Sequence, residues 1–211
     1  EDALEALAEA LDATAPGQSY NSVVPGRPTG ALNPKSVGAA IGALMPENAI
    51  VSAELTTSGG PIFGATRGCA PHDWLSLTGG SIGQAIPVAT GAAVACPDRK
   101  VICIQSDGGG MYTNQALWTH AREGLDIVTV ILTNRRYKIL EYEYFKTGAN
   151  ELGPKAESLF DIGNPDIDWA HLARGMGMEG HRAETAEDFT AKLEAALAAD
   201  GPQLIDAVYS G

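Results

Sequence analysis

Apolar residues recur along the chain in two alternating patterns, short unbroken runs and helical spacings. Leu4, Leu7, Ala8 and Leu11 stand at helical spacing within residues 2–13. Periodicity then vanishes over residues 16–34, which are rich in Pro, Gly, Ser and Asn and read as a linker or extended arm. Asn33-Pro34 opens a helix that runs to Leu44, with proline in its first turn. An apolar run at 49–53 predicts a strand, and 75–77 a weaker one. Residues 81–96 are small and apolar nearly all round, the pattern of a buried helix. The runs at 101–104 and 127–132 are apolar without alternation, which predicts strands covered on both faces of a parallel sheet. Between them, 113–123 reads as a helix capped by Thr113 or Asn114. Thr185-x-x-Asp188 has the form of a capping box ahead of Phe189, Leu193, Ala196 and Leu197. Residues 204–208 close the pattern as a strand.

Strand and helix in repeated alternation predict an α/β fold, a doubly wound, mostly parallel sheet with helices on both faces. Residues 1–30 are expected to be a helix and linker from a preceding domain, and 31–211 the compact domain. The chain has 211 residues and opens Glu1-Asp2 without Met, so it is expected to be a piece of something longer.

Charge narrows the partners. A formal net charge of −12 argues against a nucleic acid or an anionic membrane surface. No apolar run reaches the roughly 18 residues of a membrane span. A phosphate ligand would therefore need backbone donors or a metal rather than a basic patch. Cys69, Cys96 and Cys103 form no even framework and no CxxC, and read as buried thiols of a cytoplasmic, reducing compartment.

In this fold class ligands sit at the C-terminal ends of the strands. After the strand at 101–104 comes Gln105-Ser106-Asp107-Gly108-Gly109-Gly110. Three glycines between a strand and a helix let backbone N–H groups approach an anion. Asp107 in the same loop would repel that anion unless a cation lay between them. Asn134 follows the strand at 127–132, 27 residues after Asp107. That span holds one crossover and can set both side chains at one end of neighbouring strands. A carboxylate, an amide oxygen and a loop carbonyl are hard donors suited to Mg²⁺, which keeps water and phosphate oxygens as its other ligands.

Ser106-Asp107-Gly108 through Thr133-Asn134 resembles the thiamine diphosphate-binding motif, Gly-Asp-Gly followed by Asn-Asn. Residues 77–140 are similar to the C-terminal, diphosphate-binding domain of the acetolactate synthase and benzoylformate decarboxylase group. The supporting stretches are Gly79-Gly80-Ser81-Ile82-Gly83-Gln84-Ala85-Ile86-Pro87, Pro97-Asp98-Arg99, Gln115-x-Leu117-Trp118-Thr119, and Asn134-Arg135-Arg136-Tyr137-x-Ile139-Leu140. The resemblance implies that Asp107 and Asn134 hold Mg²⁺ by side chain and Arg136 by its carbonyl. It implies thiamine diphosphate contacts from Thr56, Thr57, Gly108, Gly109, Tyr112 and Tyr137. Ile82 would wedge the cofactor into a bent posture, and the Gly80 carbonyl would accept from its amino group. Ser106, Gly109 and Thr133 stand where the pattern has Gly, Ser and Asn.

The resemblance also implies what is missing. The glutamate that activates the cofactor belongs to a separate pyrimidine-binding domain, so no catalytic residue is expected in this chain. Glu54 is expected to serve loop structure rather than acid catalysis. The implied activity is decarboxylation or ligation of 2-oxo acids by a homodimer or homotetramer. The chain would be either the C-terminal part of a longer enzyme or a separately encoded subunit, with a non-catalytic module as the alternative. A dinucleotide-binding domain is the other alternative, but Gly108-Gly109-Gly110 is not GxGxxG. His72, His171 and His181 are expected at the surface or in caps, and His120 turned away from the site. Trp118 is expected in the core. Arg135 and Arg136 are candidates for a substrate carboxylate, and 137–145 for a helix beside the site or an interface.

Overall fold

The structure, a computed structural model, describes residues 2–13 and 23–210. In chain order the elements are α1 (Asp2–Ala10), α2 (Pro34–Leu44), β1 (Ala49–Glu54), α3 (Gly59–Thr66), β2 (His72–Ser76), α4 (Ala85–Ala95), β3 (Val101–Ser106), α5 (Asp107–Gly110), α6 (Ala116–Arg122), β4 (Ile127–Thr133), α7 (Lys138–Lys146), α8 (Pro154–Phe160), α9 (Trp169–Gly175), β5 (Glu179–Ala183), α10 (Ala186–Ala198) and β6 (Gln203–Val208). α1 buries none of its side chains. Of the predicted arm, 16–22 lie outside the described residues, and 23–29 form neither helix nor strand.

The strands form one sheet in the order β2-β1-β3-β4-β6-β5, and every neighbouring pair is parallel. Successive side chains of the central strands enter opposite cores, which is why those strands read as unbroken apolar runs. Val51, Ile102, Val130 and Ile205 meet Val37 and Ile41 of α2, Ile62 of α3 and Phe189 of α10. Ile50, Cys103, Ile131 and Leu204 meet Ile86 and Ala89 of α4, Leu117 of α6 and Trp169 of α9. Truncating one of these large side chains to alanine costs about 2–5 kcal/mol.

Local rules set the helix positions. Asn33 accepts from the N–H groups of Lys35 and Ser36, while the Ser36 hydroxyl accepts from the Asn33 N–H, a reciprocal cap. Gly38 and Gly42 lie one turn apart where α3 crosses α2. A Cβ at Gly38 would stand 2.8 Å from Ile62 Cα, and one at Gly42 2.7 Å from the Ala65 carbonyl. Thr185 caps α10 by accepting from the Asp188 N–H at 3.2 Å.

Several expectations change. The weak strand at 75–77 is β2, which starts at His72 and ends at Ser76, one residue before Leu77. The helix expected at 81–96 begins only at Ala85, because Gly83 at φ 89° turns the chain ahead of it. That helix buries one face only, and Val94 on its outer side is exposed. The Thr113 hydroxyl does not cap α6 but donates to the Gly83 carbonyl at 2.6 Å. Trp118 is 50% exposed with the Arg122 guanidinium over its ring, since Leu117 and His120 occupy the inner face of α6. Of the three thiols only Cys103 is buried, and Cys69 and Cys96 are half-buried. Glu54 ends β1 rather than lying in a loop. Edge strand β5 and helices α3, α8 and α9 are additions with no clear apolar pattern in the sequence.

Candidate active site

The chain runs from β1 to β2 on one side and from β3 to β4 on the other, so the loops after β1 and β3 diverge. A cleft at such a point is where this architecture binds ligands. A cavity of about 270 Å³ opens there. Its walls include Thr56 and Thr57 after β1, Asp107, Gly108, Gly109 and Tyr112 after β3, and Asn134, Arg136 and Tyr137 after β4. Ile82 also lines it, 55% exposed in the turn before α4. Gly80 is the one expected cofactor residue that does not line the cavity. It lies two residues before Ile82 in the same turn, at φ 67°.

Asp107 begins the short helical turn α5. Its carboxylate accepts from its neighbour Gly108 N–H at 2.9 Å and, across the strands, from the Arg135 N–H at 2.7 Å. Only 4% of Asp107 is exposed, and burial pushes its carboxyl above the usual range. No cationic side chain forms an ion pair with it among the described residues. A buried carboxylate without a counter-charge is costly and favours a cation beside it. Asn134 closes an Asx turn, its Oδ1 accepting from the Arg136 N–H at 2.9 Å.

The glycine turn is bare for steric reasons. A Cβ on Gly108 would stand 2.5 Å from the Tyr137 ring, and one on Gly110 2.8 Å from the Trp169 ring. A Cβ on Gly109 would overlap Glu54 Oε1 and lie 2.6 Å from Gln105 Nε2 and 2.8 Å from Ser106 Oγ. The backbone amides of this first turn lack intrahelical acceptors. A buried carboxylate and an amide oxygen beside a glycine turn with no side chains are a donor set that fits a divalent cation carrying phosphate oxygens.

The two arginines are committed elsewhere. Arg135, at φ 59°, makes a bidentate pair with Asp166 at 2.9 and 2.8 Å. Arg136 pairs with Glu141 at 2.7 Å and with Glu157 at 2.7 and 2.9 Å. Neither guanidinium is left for a substrate carboxylate. His120 is wholly buried between α4 and α6, its ring 2.8 Å from the Thr90 hydroxyl, away from the cleft. His171 is exposed beside Asp168, the cap of α9, while His72 and His181 are half-buried.

Sequence reasoning missed other walls of the cavity. Ser58 and Tyr209 come together from β1 and β6 ends, their hydroxyls 3.1 Å apart. Lys138, Ile139 and Leu140 line it from the start of α7, the helix foreseen at 137–145. Glu54 lines it too, 4% exposed, with Oε2 unpartnered. These residues carry no local signal, because only the register of distant strand ends brings them together.

A wholly parallel doubly wound sheet with a glycine turn and an Asp and an Asn at neighbouring strand ends has the form of a diphosphate-binding domain. The chain belongs to the thiamine pyrophosphate enzyme family: residues 64–207 match the model of its C-terminal TPP binding domain. It is 48% identical over 210 residues to a putative acetolactate synthase large subunit, IlvX, of Mycobacterium tuberculosis, covering 98% of this chain and 41% of that protein. It is 36% identical over 177 residues to benzoylformate decarboxylase of Pseudomonas aeruginosa, covering 84% of this chain and 32% of that one. Among solved structures, a thiamine diphosphate-dependent 4-hydroxybenzoylformate decarboxylase of Rhodococcus jostii superposes with a TM-score of 0.75 at 31% identity, over 93% of this chain and 36% of that one. The chain thus spans about two fifths or less of the length of these relatives. Among the described residues no helix is long and apolar enough to cross a membrane.

Proposed function

We propose that this chain supplies the diphosphate- and metal-binding half of the active site of a thiamine diphosphate- and Mg²⁺-dependent enzyme acting on 2-oxo acids. The reaction is decarboxylation, with or without ligation to a second carbonyl. The observation that carries the reading is the buried, unpaired carboxylate of Asp107 tied across neighbouring strand ends to the Asn134–Arg136 turn, with the bare Gly108–Gly109 backbone beside it.

Asp107 and Asn134 hold Mg²⁺ through side-chain oxygens and Arg136 through its carbonyl. The metal offsets the charge that would otherwise set Asp107 against the diphosphate. Gly108 and Gly109 present amides to phosphate oxygens, with Thr56, Thr57, Tyr112 and Tyr137 around them. Ile82 would offer the cofactor an apolar wall, and the Gly80 carbonyl, in the same turn, would offer an acceptor to its amino group. Bound thiamine diphosphate supplies a nucleophilic carbon and an electron sink for the departing CO₂. Leu77, Ile139 and Leu140 help keep water from that end of the cleft.

The activating glutamate comes from a pyrimidine-binding domain of the same or a partner chain, in a homodimer or homotetramer. Exposed Tyr112 in the cavity wall, with exposed Met111 next to it in the chain and Trp118 and Val94 exposed on α6 and α4, supports a partner domain against this chain. Three thiols outside any disulfide support a cytoplasmic setting.

The test uses the full-length protein. Mg²⁺-dependent thiamine diphosphate binding and CO₂ release from pyruvate or benzoylformate are expected. Binding without turnover of any 2-oxo acid would favour a non-catalytic module instead.

A further inference from the structure

Both residues flanking Asn134 are tied down by acids, buried Asp206 and exposed Asp166. On one side, the Thr133 hydroxyl donates to Asp206 Oδ1 at 2.6 Å, and the Thr133 carbonyl accepts from the Tyr209 N–H at 3.1 Å. On the other, Arg135 pairs twice with Asp166. Arg182 lies near both acids, pairing with Asp166 and Glu184. Arg182 is the register partner of Asp206 on β5, and its guanidinium lies 3.7 Å from Asp166.

Asp206 is an expensive residue at this place. It is fully buried in the middle of β6, its Oδ2 has no partner, and burial pushes its carboxyl up to about 6. Arg182 eases that burden, while Asp166 and Asp168 add to it. An apolar side chain would pack there at lower cost. Arg135 holds a left-handed backbone at φ 59°, which a non-glycine residue keeps only when its surroundings enforce it. Between these two anchors Asn134 Oδ1 accepts from the Arg136 N–H at 2.9 Å.

We infer that Asp206 and Asp166 are positioning residues that clamp Thr133 and Arg135 and so aim the Asn134 amide oxygen at the metal. The inference rests on the reading of Asn134 as a Mg²⁺ ligand. It also accounts for Thr133: a hydroxyl replaces the amide of the common pattern and still offers the acid a donor.

The experiment measures, in the full-length protein, the Mg²⁺ concentration that half-saturates thiamine diphosphate binding by titration calorimetry, beside the melting temperature without metal. D206L and D166A are each expected to raise that concentration between about 10- and 100-fold, the usual loss when a residue supporting a metal ligand is removed. D206N, which keeps an acceptor for Thr133, and T133S, which keeps the donor, are expected to stay within about threefold of the wild type, well short of the loss of a supporting residue. Should D206L fail to fold, T133V removes the same bond at constant shape and is expected to weaken Mg²⁺ alike. Unchanged Mg²⁺ dependence in folded D206L or T133V overturns the inference, as does a D206N loss as large as that of D206L. A merely structural role would lower the melting temperature and leave the Mg²⁺ dependence in place. Wild-type protein that binds thiamine diphosphate without Mg²⁺, or not at all, overturns the metal reading together with this inference. Wild-type binding with unaffected variants overturns this inference alone.

Discussion

Arg135 donates its backbone N–H to Asp107 Oδ2 across 2.7 Å, joining the end of β4 to the end of β3 at the mouth of the cleft. A backbone donor leaves the carboxylate its full charge, and burial raises the cost of keeping it. A metal role for Asp107, as proposed, would come at the expense of stability. Asp107→Asn removes the buried charge but turns an NH2 group toward one of the two N–H donors, and is expected to cost the ligand-free protein about 1–3 kcal/mol. The same substitution is expected to abolish Mg²⁺-dependent thiamine diphosphate binding. Thermal melts with and without the two ligands check both outcomes, and a retained ligand-induced shift would falsify the metal assignment.

Ser106 and Gly109 exchange the residue types of the common motif, and the structure shows why the exchange is joint. A Cβ at 109 would stand 2.8 Å from Ser106 Oγ and crowd Glu54 and Gln105, all packed behind the turn. G109S alone is expected to cost about 1–3 kcal/mol through overpacking. S106G in the same chain frees that space and is expected to recover part of the loss, with a coupling of about 0.5–3 kcal/mol between the two sites. Urea denaturation of both single variants and the double variant measures the coupling. Strict additivity would sink the explanation.

The legible parts of the fold were those where burial on both sides leaves no room for polar residues. β3 and β4 read as strands because Val101–Ile104 and Ile127–Leu132 face two cores at once. β5 did not, since Glu179-Gly180-His181-Arg182 lies at the sheet edge, where charge is tolerated and protective. Trp118 was misplaced because hydrophobicity alone does not tell the inner face of a short helix from its outer face. Asp107 and Asn134 were readable as a pair because one crossover fixes their spacing. Glu54, Lys138 and Tyr209 were not, because they meet the cavity only through strand register and loop path.

Gly180 carries a steric requirement that no composition reveals. A Cβ there would overlap the Ala170 carbonyl oxygen and stand 3.0 Å from its Cα, so β5 and α9 meet backbone to backbone. A backbone neighbour cannot swing aside as a side chain can. Gly180→Ala is expected to destabilise by about 1–3 kcal/mol, the usual range for overpacking. It also pushes α9, and with it Trp169, away from Gly110. A fall in the urea midpoint together with changed tryptophan emission is the expected result, and wild-type values for both would refute the contact.

Two buried titratable groups oppose each other across mildly acid pH. Burial lowers His120 to about 4, so the unfolded chain takes up its proton first as pH falls from about 6.5. Stability from His120 is thus complete above about pH 6.5 and drains away toward pH 4. Burial raises Asp206 to about 6 from 3.8, so between those values the folded state holds the extra proton and stability declines as pH rises. Each shift is worth about 3 kcal/mol at full extent, and over pH 4–6 the two slopes largely cancel in the wild type. Removing one group exposes the other. The stability of D206N relative to wild type is expected to grow from near zero at about pH 4 to as much as about 3 kcal/mol at pH 7. H120Q is expected to show the reverse, its relative advantage appearing only as pH falls below about 6. Urea unfolding at half-unit steps from pH 4 to 7 reads both differences. Parallel pH curves for either variant and the wild type would show that its group does not titrate differently on folding.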